Sequence, residues 1–164
     1  MNVKLFGLVG AILLSSPVYA EEGHSHGHAD HTAPRAQAKA GKKFETDEVL
    51  KTGMEGIRQA MLARRAEIDE DKLSGEDYRH LADVLDQNTT RIVQNCKLSK
   101  DTDRAFHAIV LADLMRDTAL MRTSPKKQIQ RISALGVLQT LRHYGENFQH
   151  PGWSLESAPA SQRP

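Results

Sequence analysis

In four stretches of this chain the apolar residues recur at three- and four-residue steps, and nowhere do they alternate over a run long enough for a strand. Steps of three and four trace one face of an α-helix, so each stretch predicts an amphipathic helix. The first opens at Thr46, whose side chain can cap a helix start, with Asp47 and Glu48 in the first turn to complement the helix dipole. It carries Leu50, Met54, Ile57, Met61 and Ile68. The second opens at Ser74, with Asp77 three residues on as in a capping box, and carries Tyr78, Leu81, Leu85, Ile92 and Cys96. The third begins after Ser99 and carries Phe106, Ile109, Val110, Leu114 and Met121. The fourth begins at Ser124-Pro125, a cap followed by proline at the first helical position. Its stripe is Ile129, Ile132, Leu135, Leu138, Leu141, Tyr144 and Phe148, and His150-Pro151-Gly152 ends it, since proline cannot continue a helix.

The connections near residues 69–73, 97–99 and 123–124 are short. Short connections make successive helices antiparallel neighbours. The predicted fold class is therefore all-α: an up-down-up-down antiparallel four-helix bundle over residues 44–153, with the first helix beside the last.

Residues 1–20 carry the parts of a cleavable secretory signal peptide. Lys4 gives a positive start, Leu5 to Leu14 is an unbroken apolar run, and Val18-Tyr19-Ala20 offers small residues for the peptidase. The run is too short for a membrane span, which takes about 20 residues. The expected location is the periplasm, with no membrane span in the mature chain. Residues 21–43 hold little that is large and apolar and read as a disordered His-rich tail, and residues 154–164 as a second tail. Once Lys4 leaves with the signal, basic and acidic residues balance. That balance argues against a nucleic-acid partner, which needs a concentrated basic face. Cys96 is the only cysteine, so no internal disulfide can form and the fold must rest on its apolar core or a bound group. Cys96 fits a small buried hydrophobe as well as a ligand.

Two arrangements carry chemistry. The first is His24-Ser25-His26-Gly27-His28-Ala29-Asp30-His31, where four imidazoles and a carboxylate can wrap one ion. Imidazole suits copper, nickel and zinc. The same composition also suits a solvated tail with no role. The second needs the bundle. Counting inward at the helical rise sets Met54, His107 and His143 in one layer, roughly 11–12 Å from one end, with Cys96 and His150 nearer that end. Thioether, imidazole and thiolate would suit copper, or haem b with Met/His axial ligands. Met54 at helical spacing equally fits core filling, and His107 and His143 equally fit the surface. Covalent haem is excluded because the chain lacks Cys-x-x-Cys-His. No catalytic triad context and no glycine-rich phosphate loop occurs, so the chain does not read as an enzyme.

Phe44-Glu45-Thr46-Asp47, Gly53-Met54, Asn95-Cys96-Lys97-Leu98, His107, Tyr144, Phe148 and His150-Pro151-Gly152-Trp153 together resemble the small bacterial periplasmic proteins labelled DnrO-like. That resemblance implies a metal-related periplasmic role, carried over to Met54, Cys96, His107 and His150. A Met early in the first helix and a His late in the last is also similar to b-type cytochrome four-helix bundles, which implies Met54 with His143 or His150. The function expected from the sequence is binding of a transition metal, copper first, as a buffer or carrier, with a metal efflux or sensor protein as possible partner. A haem-binding electron carrier and a helical interaction module with an incidental His tail are the alternatives.

Overall fold

A computed structural model describes residues 42–156 of the chain. The signal-peptide and His-tail expectations up to residue 41, and the second tail from residue 157, lie outside the described residues. The described part is all-helical: α1 (Glu48–Ala63), α2 (Arg65–Asp69), α3 (Gly75–Asn95), α4 (Lys100–Phe106), a π-helical turn (His107–Leu111), α5 (Ala112–Thr123) and α6 (Lys127–Asn147). No strand occurs among the described residues, although an isolated bridge pairs Phe44 with Phe148. No helix among them is long and apolar enough to cross a membrane.

Local chemistry fixes most of these starts and stops. Ser74 and Asp77 form the reciprocal capping box at the start of α3, and Ser99 accepts from the Thr102 amide at the start of α4. At α1 the cap is Asp47 and not Thr46. One Asp47 oxygen accepts from the Leu50 amide at 2.7 Å, and the other accepts from the Lys97 amide in the link between α3 and α4. A carboxylate can serve both at once, whereas the Thr46 hydroxyl donates to the Gln149 carbonyl. The first predicted helix is broken at Arg64. Its amide bonds back to the Met61 carbonyl, a three-residue step that ends α1 before α2 resumes. The third is interrupted by the π turn at His107–Leu111.

The fourth departs furthest from its predicted stripe. α6 begins at Lys127, after Pro125, and ends at Asn147 with Phe148 as its cap residue. Ile129, Ile132 and Leu135 are exposed, and the buried face is Gln130, Ser133, Ala134, Val137, Leu138, Thr140, Leu141 and Tyr144. The reason is geometric. A run of strict three-residue steps slips backward by about 60° per step on a helix of 3.6 residues per turn, so it spirals off any single face.

The core joins Leu50, Met54, Ile57 and Met61 of α1 to Leu81 and Leu85 of α3, Leu114 and Met121 of α5, and Val137 and Leu141 of α6. α1 packs chiefly on α3, α3 on α5, and α5 on α6. Among the buried polar groups, Gln130 donates to the carbonyls of Met121 and Gly75 and Asp117 is bonded by Arg116, whereas the Tyr78 and Thr118 hydroxyls meet no hydrogen-bond partner among the described residues.

Candidate functional site

The functional residues predicted inside the bundle occupy separate settings. Met54 is wholly enclosed in the apolar core. His107 opens the π turn on the outside; its side chain is 60% exposed and its Nε2 lies 3.7 Å from an Asp103 oxygen. His143 is half-buried, with Nε2 2.8 Å from Gln139 Nε2. Cys96 caps the end of α3, half-buried. Burial pushes its thiol pKa up, and the Asp47 and Asp103 carboxylates push in the same direction. That setting favours the thiol over the thiolate that binds metals. Among the described residues no group of three or more His, Cys, Asp or Glu side chains is disposed to hold a metal ion. The tail histidines His24, His26, His28 and His31 lie outside the described residues.

His150 belongs to the most elaborate side-chain cluster, at the end of α6. The Phe148 ring meets Tyr144 at 5.2 Å in a stack, Phe44 at 5.6 Å, and Phe106 edge-on at 6.1 Å. Pro151 and Gly152 then reverse the chain, with Gly152 at φ 78°, in the left-handed region that suits glycine. The reversal brings Trp153 back onto α6, where its ring lies 4.7 Å from Tyr144 and 4.8 Å from His150. Only a glycine leaves room for it: a Cβ on Gly145 would lie 2.4 Å from Trp153 Cδ1. From α1, the Arg58 guanidinium stands 5.8 Å from the indole and donates to the Ser154 carbonyl at 2.7 Å. Glu55 grips the same guanidinium with both oxygens, and that bond holds the Glu55 carboxyl below its ordinary range.

Burial shapes the electrostatics of this cluster at Tyr144 and His150. Burial pushes the Tyr144 phenol well up, helped by Asp47. Burial likewise lowers the His150 pKa, against the pull of Glu55. The shift favours the neutral imidazole, whose Nδ1 lies 3.0 Å from the Tyr144 hydroxyl. Trp153 Nε1 is buried and meets no acceptor among the described residues. The groups satisfy or cover one another, and the arrangement ties the entering segment, α1 and α6 together. Phe44 donates to the Asn147 carbonyl and accepts from the Gln149 amide. Sequence reasoning noticed Tyr144, Phe148 and the His-Pro-Gly-Trp run but gave Trp153, Arg58 and Glu55 no role. The available signal was the glycine at 145, eight residues before the only tryptophan.

No family model matches the chain, and no curated protein or solved structure shows significant similarity to it.

Proposed function

We propose that the chain is an exported binding protein for a transition metal, copper first, acting as a buffer or carrier. The observation that carries this reading is the tail sequence, where His24, His26, His28 and His31 fall within eight residues. Neutral imidazoles at such density on a chain segment poor in large apolar residues suit capture of copper(II), nickel or zinc. The helical part serves as the scaffold. Its reading as an up-down-up-down bundle is supported by cross-contacts: Gly53 faces Ile92 and Gly56 faces Asn88, while Gly136 faces Asp117 and Gln130 bonds to Met121. Each pair of contacts runs in opposite directions along its two helices. An interior site at Met54, Cys96, His107, His143 and His150 draws no such support, so the reading rests on the tail.

Calorimetric titration of the full chain with copper(II) tests it. The fourfold replacement of His24, His26, His28 and His31 by Ala should remove most of the binding. Affinity in the unaltered chain should fall below about pH 6, as imidazole protonates. An unchanged titration in the fourfold variant would show the tail to be incidental.

A further inference from the structure

Tyr144, His150 and Trp153 form a closed triangle of rings at the end of α6. The Tyr144 ring lies 4.7 Å from the indole and 5.7 Å from the imidazole, and the two heterocycles lie 4.8 Å apart. Tyr144 is wholly buried, whereas Trp153 is half-buried. The only tryptophan of the chain therefore reaches from solvent to an enclosed phenol. Two details set what these rings can do. Trp153 Nε1 is buried and meets no acceptor among the described residues, so an indole that loses an electron has no base at hand to take its proton. The Tyr144 hydroxyl lies 3.0 Å from His150 Nδ1, within the reach over which a base takes a proton. Imidazole is the side chain best suited to take up and return a proton near neutral pH.

We propose that Trp153, Tyr144 and His150 form a one-electron relay that carries an oxidising equivalent from the surface to a sheltered phenol. The oxidant is a solvent-borne radical of the hydroxyl or carbonate class. It is reduced by one electron from the Trp153 indole, which becomes a radical cation. Tyr144 then returns one electron to the indole while its hydroxyl proton passes to His150 Nδ1. The products are intact Trp153, a neutral Tyr144 phenoxyl radical and a His150 imidazolium. One O–H bond is broken and one N–H bond is made. For this the imidazole carries its own proton on Nε2 and accepts at Nδ1. The direction follows from the two details above. An indole radical that keeps its proton stays strongly oxidising, whereas a phenol that gives its proton to a base yields its electron readily. Burial favours the neutral, accepting form of His150. Of the charges facing it from α1, Glu48 and Glu55 favour the imidazolium and Lys51 and Arg58 oppose it, so the proton arrives in a nearly balanced field.

Laser-flash oxidation of the full chain tests the relay, in metal-free neutral buffer with photogenerated tris(bipyridyl)ruthenium(III) as the surface oxidant. Transient absorption should show a tryptophan radical that decays as a tyrosyl radical appears, and electron paramagnetic resonance should identify the tyrosyl species. Tyr144→Phe should leave the tryptophan radical without that successor. His150→Phe, which keeps a ring in place and takes away the base, should slow the hand-over at least about tenfold with helix content by circular dichroism unchanged. The unaltered chain gives a second measure: the hand-over should slow in heavy water, because an O–H proton moves with the electron. A tryptophan radical that decays with no tyrosyl successor overturns the proposal. A tyrosyl signal that survives Tyr144→Phe overturns it too, and gives the radical to Tyr19 or Tyr78. So does a hand-over that His150→Phe and heavy water both leave unchanged. Metal binding does not enter this measurement, so the outcome stands apart from the tail reading.

Discussion

α3 and α6 are each 21 residues long and share one core, yet they meet their surroundings differently. α3 buries Tyr78, Leu81, Ala82, Leu85, Thr89 and Ile92 along one face and exposes mainly polar residues, Glu76, Arg79, His80, Asp83 and Arg91 among them, together with Val84 and Val93. Its first turn is closed by Ser74 and Asp77. α6 buries Gln130, Ser133 and Thr140 among its apolar residues and exposes Ile129, Ile132 and Leu135. Its first turn has no side-chain cap of its own. α3 is set by its cap and one mostly apolar face, whereas α6 is fixed on the inside by the bonds of Gln130 to Met121 and Gly75 and keeps Ile129, Ile132 and Leu135 outside.

The sharpest contrast lies in two truncations. Leu85→Ala, in the buried face of α3, should cost about 2–5 kcal/mol from lost burial and the cavity left behind. Ile132→Ala in α6, measured at low protein concentration, should cost no more than about 0.5 kcal/mol, as at an ordinary surface position. Urea unfolding of the two variants gives both numbers, and equal costs would erase the distinction between the helices.

A smaller effect probes how α6 seats on α5. A Cβ on Gly136 would lie 2.3 Å from an Asp117 oxygen, and that carboxylate is 5% exposed and held by Arg116. Gly136→Ala gains about 1 kcal/mol of helix propensity but must displace a buried, bonded group. The expected net result is a loss of about 1 kcal/mol in thermal or urea unfolding. A gain in stability would mean that α5 and α6 separate without difficulty.

The smallest effects concern the starts. Ser74→Ala should cost about 1 kcal/mol through the lost cap, while Lys126→Ser, which supplies a hydroxyl where α6 has none, should gain up to about 1 kcal/mol. The Ser74 side chain and amide hold the Asp77 carboxyl below its ordinary pKa. A depressed folded-state pKa gives stability that is present above the ordinary carboxylate range and fades as pH falls through the lowered value. The gap between the unaltered chain and Ser74→Ala should therefore narrow in acid, as followed by melting at stepped pH. A gap that widens in acid would assign the cap to something other than that carboxylate.

α3 was legible because every signal agreed. Its cap, its steps of three and four, and its charged outer face all pointed one way, and the same held for Ser99 at α4. α6 was legible as a helix but not in its rotation. Ile129, Ile132 and Leu135 look like core residues in a one-dimensional reading, and nothing local marks Gln130 as a buried residue until Met121 and Gly75 are seen to receive its bonds. The cap at Asp47 was missed because its second oxygen serves Lys97, fifty residues away in the chain. The cluster around Trp153 depends on Arg58 and Gly145 meeting across the fold, which no local pattern announces. The two metal readings differ in the same way. The tail motif is local and stands in the sequence alone, whereas a bundle site needs helix rotation, and His107 turns outward while Met54 turns in.

The π turn at His107–Leu111 acts as a phase shifter. It accommodates one residue more than an α-helical turn holds, so everything after it is rotated by about 100° relative to an uninterrupted helix. Upstream of it, Phe106 is clocked onto Phe148 in the aromatic cluster. Downstream, Leu114, Asp117 and Met121 are clocked onto α6 and the core. The two ends of the molecule are thus kept in mutual alignment by a single residue of excess chain. Loss of any one residue from this turn would leave a perfectly good helix, yet would put either the aromatic cluster or the α5 face out of step.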